Sequence, residues 1–462
     1  MRLPWLLGTA LVLLPFTHAS GETLEEALAT VYATNPTIAA ERAQLRSTDE
    51  TLPQALAQRR PTVIGQGQVG ITTESSSFGN SNVAGSNVAG VNTAGGQTLY
   101  PRGVSLSLDQ PLWTGGRAGA AISQADYLID AERANLFNVE ESVLLQATTA
   151  YLDVVRDQAL LEVARNNVKV LRTTLDQTRA QLDAGVATRT DLAQTEARLA
   201  QGIADQRQAE VNLATSRAAF QNTVGHMPGP LTAVPNVPGL PPNQAAAVDL
   251  ALERNPQVLV AKANENAAGA GIDIARSELM PRLDLNAQIA HFNSERIKDV
   301  QRDSASVLAT LTVPVYQAGA EYSRIRQAKE SFGQNRNQID VAKRQVVQSA
   351  TAAWENLQAA RARVRSFQSQ IDANRIAYNG VVEEQRVGTR TVLDVLNAEQ
   401  ELFTSQVNLA QAQHDEAVSA YQVKALIGDM TAFALKLPVD LYNPRQHYDT
   451  VRDKWIGTSP GD

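Results

Sequence analysis

The stretch "RVGTRTVLDVLNAEQELF", residues 386–403, indicates a tight turn followed at once by a helix. A related stretch, "DAGVATRTDLAQTEARL", occupies residues 183–199. In both stretches a Gly is followed after three residues by a Thr, and after three more by an Asp. These positions are Gly185, Thr188 and Asp191 in the first stretch and Gly388, Thr391 and Asp394 in the second, a constant interval of 203 residues. The chain therefore contains an internal repeat.

Each Thr-x-x-Asp pattern predicts a capping box at the start of a helix. In such a box the Thr side chain accepts a hydrogen bond from the backbone amide three residues later, and the acidic side chain accepts one from the Thr amide. The Gly three residues earlier is typical of a helix that ends in a left-handed conformation. We therefore predict two helical hairpins whose turns lie in the two stretches.

The repeat extends over most of the chain. "ATNPTI" at 33–38 matches "ERNPQV" at 253–258 at an interval of 220 residues, whereas "QPLWTGG" at 110–116 matches "VPVYQAG" at 313–319 at 203. The difference lies in residues 75–97, a Ser/Asn/Gly tract typical of a flexible loop, which contains the pentad "SNVAG" twice. We predict a first structural repeat at 20–225, a second at 226–428, and a C-terminal tail at 429–462 that is either periplasmic or disordered.

Each repeat has the same predicted order of elements: a helix of about 30 residues, two strands, a very long helix, a turn and a returning helix. Residues 120–184 contain neither Gly nor Pro, which allows about 95 Å of continuous helix. Its counterpart is 320–387, and the returning helices are predicted at 189–224 and 389–427. Apolar and polar residues alternate in "GVSLSLDQ" and "RLDLNAQI", as in strands with one apolar face. In "SVLATLTV", Leu308 breaks this alternation.

The N-terminus and the composition restrict the function. Residues 1–19 have an Arg, an apolar run and small residues, as a secretory signal does. The net charge is −7 without a basic run, so no nucleic-acid partner is expected. The chain has no Cys, its five His lack metal-ligand spacing, and no phosphate loop or nucleophile elbow appears. We expect neither an enzyme nor a cofactor or metal site.

Four strands with one apolar face cannot form a closed barrel alone. In hydrocarbon, each unpaired backbone group at an open edge would cost several kcal/mol. The predicted strand length of about 10–12 residues suits a tilted membrane strand. Trp113 and Tyr316 occupy equivalent positions at predicted strand ends, where a membrane barrel carries an aromatic girdle. We expect several chains to combine their strands in one barrel. The alternative for both aromatics is the rim of a soluble sheet.

The duplicated order of elements, the Asn-Pro pair in the first helix, the Pro before the strands and "VGTRTVLDVLNAE" at 387–399 together resemble the TolC family of outer-membrane efflux proteins. The resemblance covers the chain to about Gly428. It implies a mixed, mainly α fold: a homotrimeric channel-tunnel with a 12-stranded transmembrane β-barrel, four strands per chain, continued by a long periplasmic α-helical barrel. The implied function is the passive exit duct of a tripartite efflux or type I secretion system in the cell outer membrane.

The resemblance also implies partners and site residues. The partners are outer-membrane lipid, a periplasmic adaptor (membrane fusion protein) and an inner-membrane pump of RND or ABC type. Arg390, which has Ala187 as its equivalent, would hold the gate closed by bonding to Thr190 and Asp191 of a neighbouring hairpin. Asp394 and Asn397 would line the constriction. The expected adaptor-docking residues are those of the two turns: Gly185, Val186, Thr188, Val387, Gly388, Thr389 and Thr391.

Two departures from the family pattern concern the gate. Asn397 stands where a second Asp is often found, and Gln385 stands where a Tyr is expected. With Asp394 as the single ring of acids, we expect a cation-selective pore that binds cations less tightly, and a closed state that is held less firmly. For Arg390 the alternative is a solvated turn residue, and for the whole protein it is an exported coiled-coil scaffold or adhesin without a pore. The sequence does not choose between drug efflux and protein secretion.

Overall fold

The structure is a computed structural model that describes residues 21–74, 97–232, 237–295 and 299–459. The predicted signal sequence and the "SNVAG" tract up to residue 96 lie outside the described residues. The chain divides into two compact units. One comprises residues up to 41, 136–256 and 344–442, and the other comprises 42–135, 257–343 and 443 onward.

The described residues form ten helices and six strands. The helices are α1 (Leu24–Thr34), α2 (Pro36–Asp49), α3 (Thr51–Ala57), α4 (Arg117–Asp183), α5 (Arg189–Val224), α6 (Gln244–Arg254), α7 (Pro256–Ser277), α8 (Ala320–Arg386), α9 (Val392–Leu426) and α10 (Gln446–Val451). The strands are β1 (Thr62–Val69), β2 (Thr72–Glu74), β3 (Gln97–Leu99), β4 (Arg102–Trp113), β5 (Arg282–Asn293) and β6 (Gln301–Thr312). We call α4–α5 the first hairpin and α8–α9 the second hairpin. Their four helices begin within three residues of the predicted positions.

The single helix of about 30 residues predicted at the start of each repeat is wrong. The first of these regions forms α1, α2 and α3, and the second forms α6 and α7. Asn35 before Pro36 is extended, with φ −67° and ψ 125°, because a proline ring disfavours the helical conformation of the preceding residue. Pro36 then opens α2, where a missing amide hydrogen costs nothing.

Each break places an asparagine against the end of a returning helix. The Asn35 side-chain amide donates to the Thr223 carbonyl oxygen at 3.1 Å, and that of Asn255 donates to the Leu426 carbonyl oxygen at 3.0 Å. The last carbonyls of a helix have no partner within the helix. The Asn-Pro pairs therefore cap α5 and α9 from outside.

The core of the first unit lies where α1, α4, α5 and α9 meet. Tyr151 and Phe220 are fully buried there, and the Tyr151 hydroxyl lies 2.8 Å from the carbonyl oxygens of both Glu22 and Thr232. The beginning of the tail packs on the same core through Met430, which is also fully buried. The Glu140 carboxylate accepts a 2.7 Å hydrogen bond from the Ala432 amide.

The disordered alternative for the tail is wrong for residues 429–459. In the second unit the tail forms α10, in which His447 and Val451 are buried. His447 Nδ1 lies 3.3 Å from the buried Asp49 carboxylate, and the Tyr448 hydroxyl donates to Asp126 at 2.9 Å. These polar contacts, which the repeat pattern does not contain, attach the tail to its unit.

The second unit also contains a four-stranded antiparallel sheet. The strand order is β1-β4-β5-β6, so β1 and β6 are the edge strands. Strands β4, β5 and β6 have 12 residues each and β1 has eight. The short pair β2–β3, which was not predicted, flanks the loop between β1 and β4.

Candidate functional site

The two hairpin turns reverse the chain in the same way. Gly185 and Gly388 have φ of +74° and +84°, the left-handed conformation that closes a helix. The Val186 amide donates to the Gln181 carbonyl oxygen at 2.8 Å, and the Thr389 amide donates to that of Glu384 at 2.9 Å. These bonds satisfy carbonyls at the ends of α4 and α8. The turn geometry is therefore built into each hairpin.

Both predicted capping boxes are confirmed. In the first, the Asp191 amide donates to Thr188 Oγ1 at 3.2 Å, and the Thr188 amide donates to Asp191 Oδ2 at 2.9 Å. Thr391 and Asp394 make the same two bonds at the same distances. Hydrogen bonds from the Thr391 amide and hydroxyl lower the pKa of the Asp394 carboxyl below its usual value. Asp394 therefore begins a helix and also carries a negative charge at neutral pH.

Arg390 pairs within its own turn. Its Nε lies 2.9 Å from Glu384 Oε2, and both side chains are half-exposed. The position equivalent to Glu384 in the first hairpin is Gln181, just as Ala187 is equivalent to Arg390. The second turn therefore has a cation–carboxylate pair where the first has neither member. Comparison of the two repeats could have identified Glu384, whereas the expected bonds of Arg390 to Thr190 and Asp191 stay a prediction.

Amide side chains connect the two hairpins near their turns. Gln385 Nε2 lies 3.4 Å from Gln181 Oε1, and Arg198 Nη2 lies 3.3 Å from Asn397 Oδ1. Beside them an apolar cluster joins α4, α5 and α9, consisting of Leu171, Leu199, Val392 and Leu396. Gln385 and Asn397, the two departures from the family pattern, thus each form a weak contact between hairpins. Such bonds contribute about 0.5–1.5 kcal/mol each.

A buried acid in α9 was missed by the sequence analysis. Both carboxylate oxygens of Glu399 are buried and lack a hydrogen-bond partner. Burial raises the pKa of Glu399 to about 7. Its equivalent, Glu196, lies 3.2 Å from Arg179 across the first hairpin, but the position equivalent to Arg179 is Val382. The second repeat therefore has the acid without the cation.

The register of the sheet separates its side chains into two faces. Residues paired across the strands share a face, and one face is mostly aliphatic while the other is mostly polar. The apolar face contains Val63, Val69, Val104, Leu106, Leu108, Leu283, Leu285, Ile289, Val307 and Leu311. The polar face contains Thr62, Gln66, Gln68, Ser105, Ser107, Asp109, Asp284, Asn286, Gln288, Ser304, Ser306 and Thr310.

Leu308 pairs with Asn286 and therefore lies on the polar face, which is why it breaks the predicted alternation. Many apolar-face side chains are exposed, among them Val69, Val104 and Leu311. An exposed apolar face of this extent marks a surface that contacts a membrane, another protein chain or a ligand.

The two predicted interfacial aromatics occupy different places. Trp113 is the last residue of β4, lies opposite Leu283 of the apolar face, and is exposed. Tyr316 is also exposed, but it lies beyond β6, which ends at Thr312. The expectation that both residues end their strands is therefore wrong for Tyr316.

None of the described helices is both long enough and apolar enough to cross a membrane. Among the residues that the structure describes, no three His, Cys, Asp or Glu side chains are grouped so that they could hold a metal ion.

Comparisons with known proteins agree with the geometry. The family model described as outer membrane efflux protein matches residues 27–226 and 247–429. Outer membrane efflux protein BepC of Brucella suis is 33% identical over 441 residues, which are 95% of this chain and 92% of that protein. Alkaline protease secretion protein AprF of Pseudomonas aeruginosa is 24% identical over 347 residues, 72% of this chain and 71% of that protein.

A solved structure shares the fold. The crystal structure of the open state of the MtrE outer membrane channel of Neisseria gonorrhoeae superposes with a TM-score of 0.73 at 18% identity. The superposition covers 88% of this chain and 88% of that one.

Proposed function

The chain belongs to the outer membrane efflux protein family, and we propose that three copies form an exit duct that is gated at the hairpin turns and served by a periplasmic adaptor and an inner-membrane pump. The family places the channel in the outer membrane, with a large helical part in the periplasm. In this proposal the two repeats, 20–225 and 226–428, are the units of each copy's architecture.

The observation that carries the proposal is the two-faced sheet with two open edges. The apolar face suits lipid, and the polar face suits a water-filled lumen. The backbone groups at the outer edges of β1 and β6 need partners in a membrane. Pairing β6 of one copy with β1 of the next satisfies them, and three copies supply twelve strands. An exported scaffold without a pore would leave the same apolar face in water, so this alternative is not favoured.

The second turn supports the gate. Arg390 is held by an exposed pair with Glu384, and exposed pairs contribute only about 0–1 kcal/mol. Exchange of Arg390 between Glu384 and an acid of a neighbouring hairpin would therefore cost little. We expect this exchange to connect the closed state, in which Arg390 binds Thr190 and Asp191, with the open state.

Single-channel current across a planar bilayer tests the gate. We expect Arg390→Ala to increase the current severalfold, because the contact between hairpins is lost. Glu384→Ala removes only the contact within the turn, so it should leave the current unchanged or reduce it. Arg386→Ala is the matched control, since Arg386 pairs with Glu383 at 3.0 Å near the same turn.

Two outcomes would contradict parts of the proposal. Equal currents for Arg390→Ala and wild type would make Arg390 a solvated turn residue. A folded protein that neither inserts into the bilayer nor conducts current would support the alternative of an exported scaffold without a pore.

The turns also offer a docking surface for the adaptor. Val186 and Val387, one in each turn, are 78% and 70% exposed. An exposed Val at each turn gives a partner two small apolar contacts beside fixed backbone geometry. For the cargo, the relative that matches nearly the whole chain is named as an efflux protein, so we propose small-molecule efflux ahead of protein secretion.

A further inference from the structure

The end of the C-terminal tail is fixed against the start of the sheet. The Arg60 guanidinium lies 4.7 Å from the centre of the Trp455 ring, and Arg60 Nη1 donates to the Lys454 carbonyl oxygen at 2.8 Å. Just before this point, Val451 is fully buried. We call residues Arg452–Ile456 the tail tip. Its position is set by contacts on both sides.

The strand register gives the level of the tail tip along the sheet. Thr62, the first residue of β1, pairs with Asp109 of β4. Arg60, two residues earlier, therefore lies near the level of Pro111, just before Trp113. The Gln110 side chain supports this placement, because its Nε2 donates to the Arg59 carbonyl oxygen at 3.0 Å. The tail tip thus lies at the end of the sheet at which Trp113 extends the apolar face.

The chemistry of the tail tip is that of a membrane interface. Trp455 and Ile456 are 65% and 89% exposed although both are large and apolar. Arg452 and Lys454 precede them, with Asp453 between the two cations. The Lys454 ammonium donates to the Ser459 carbonyl oxygen, and Arg60 stacks on the indole. Trp favours the headgroup level of a bilayer. Basic side chains beside it are attracted to anionic lipid, each by an energy that changes binding about fivefold.

We propose that the tail tip is a membrane anchor that inserts Trp455 and Ile456 into the headgroup region of the leaflet facing the helices, where anionic phospholipid binds Arg452 and Lys454. The inference rests on the proposed function, since it requires the sheet to span the membrane. It adds an attachment from outside the two repeats. This attachment lies at the same level along the sheet as Trp113, on the outside of the barrel.

Tryptophan fluorescence can locate the tail tip. The protein from residue 20 onward contains three Trp, at 113, 354 and 455. It is reconstituted in vesicles of phosphatidylethanolamine and phosphatidylglycerol. The signals of Trp113→Phe, Trp354→Phe and Trp455→Phe are subtracted from that of the wild type, which isolates each indole. Lipids brominated on the acyl chains and aqueous iodide serve as quenchers.

We expect brominated lipid to quench the Trp455 signal and iodide to leave it largely unchanged. Trp354 is buried in a helix core and should respond to neither quencher. Replacing phosphatidylglycerol by a neutral lipid, or changing both Arg452 and Lys454 to Gln, should lower the bound-to-free ratio of the tail tip by about fivefold for each cation neutralised.

Two results would overturn the anchor. Quenching of Trp455 by iodide alone would place the tail tip in water. Resistance to both quenchers, with a disulfide cross-link between copies of a Trp455→Cys variant, would place it at a subunit contact. Trp113 separates these results from a failure of the proposed function. If brominated lipid quenches Trp113, the sheet has inserted and only the anchor has failed.

Discussion

Glu399 is a buried acid whose charge depends on pH near neutrality. Its pKa is about 7 in the folded chain against a usual value of 4.5. Between these values the folded state holds a proton that the unfolded state has released. The free energy of unfolding therefore falls as the pH rises from about 4.5 to about 7, by on the order of 3 kcal/mol in total, and stays low above that.

We expect Glu399→Gln to remove this part of the pH dependence, because the amide cannot ionise. The measurement is urea unfolding of the detergent-solubilised protein at pH 5 and pH 8. Glu196→Gln is the matched control: Glu196 is equivalent in the repeat but exposed and paired with Arg179, so the wild-type slope should persist. A Glu399→Gln protein with that same slope would show that another group titrates.

The residue scale also shows the limit of reading one sequence. The capping boxes were predictable because Thr and Asp act on backbone three residues away. Glu399 and Glu384 were not found, since the chemistry of Glu399 depends on which side chain stands opposite it across a hairpin, and that of Glu384 on its pairing with Arg390 within the turn. Aligning the two repeats at their constant interval sets Val382 against Arg179 and Glu384 against Gln181. These two differences would have indicated both acids.

At the scale of elements, the ends that depend on local sequence, such as capped helix ends, were predictable. The ends that depend on tertiary contacts were not. The bounds of α5 match the prediction, which relied on a Gly and a Thr. Strand β6 ends earlier than the repeat indicates, two residues before Pro314. Its equivalent, Pro111, lies inside β4, where the register with β5 shifts between Pro111 and Trp113. Strand β6, at an edge, stops at Thr312 instead.

Replacing glycine by alanine should lower the stability of the protein at the two turns and raise it inside a helix. Gly388 has φ +84° and open space around the position of a Cβ atom. Gly388→Ala should therefore lower stability by about 1–2 kcal/mol through the left-handed backbone alone, and Gly185→Ala should do the same. Gly380, inside α8, also has open space. There Gly380→Ala should raise stability by up to about 1 kcal/mol.

Thermal unfolding followed by circular dichroism measures these effects. The turn variants should melt below the wild type and Gly380→Ala above it. Three variants that shift together would mean that an added methyl group, and not the left-handed backbone, determines the effect.

At the scale of the whole molecule, the physical chemistry of the strands predicted that the chain forms an oligomer, whereas the number of three copies came from the family resemblance. Alternating strands with open edges require partner strands in a membrane. Nothing in strand length or alternation sets the count, because the count depends on the tilt and stagger of the closed barrel. The sequence did not predict whether the tail is ordered, because its contacts with Asp49, Asp126 and Arg60 join residues far apart in sequence.

Ion selectivity is a property of the assembled pore, and Asp394 is the acid expected to set it. Asp394→Ala should lower the ratio of potassium to chloride permeability severalfold, because a negative charge in a pore raises the local concentration of cations. Reversal potentials under a potassium chloride gradient measure this ratio. Because the pKa of Asp394 is lowered, the selectivity of the wild type should persist as the pH falls to about 4, the usual carboxyl value.

The capping role of Asp394 must be separated from its charge in the pore. Asp191→Ala removes the bonds that the Asp191 carboxylate accepts from the Thr188 amide and hydroxyl, just as Asp394→Ala removes those from Thr391, so any loss of selectivity caused by fraying should appear in both variants. We expect Asp191→Ala to increase the current, since it removes a predicted partner of Arg390, and to leave the reversal potential unchanged. If the reversal potential moves in neither variant, the selectivity lies elsewhere, and Asp109 on the polar face of the sheet becomes the acid to change.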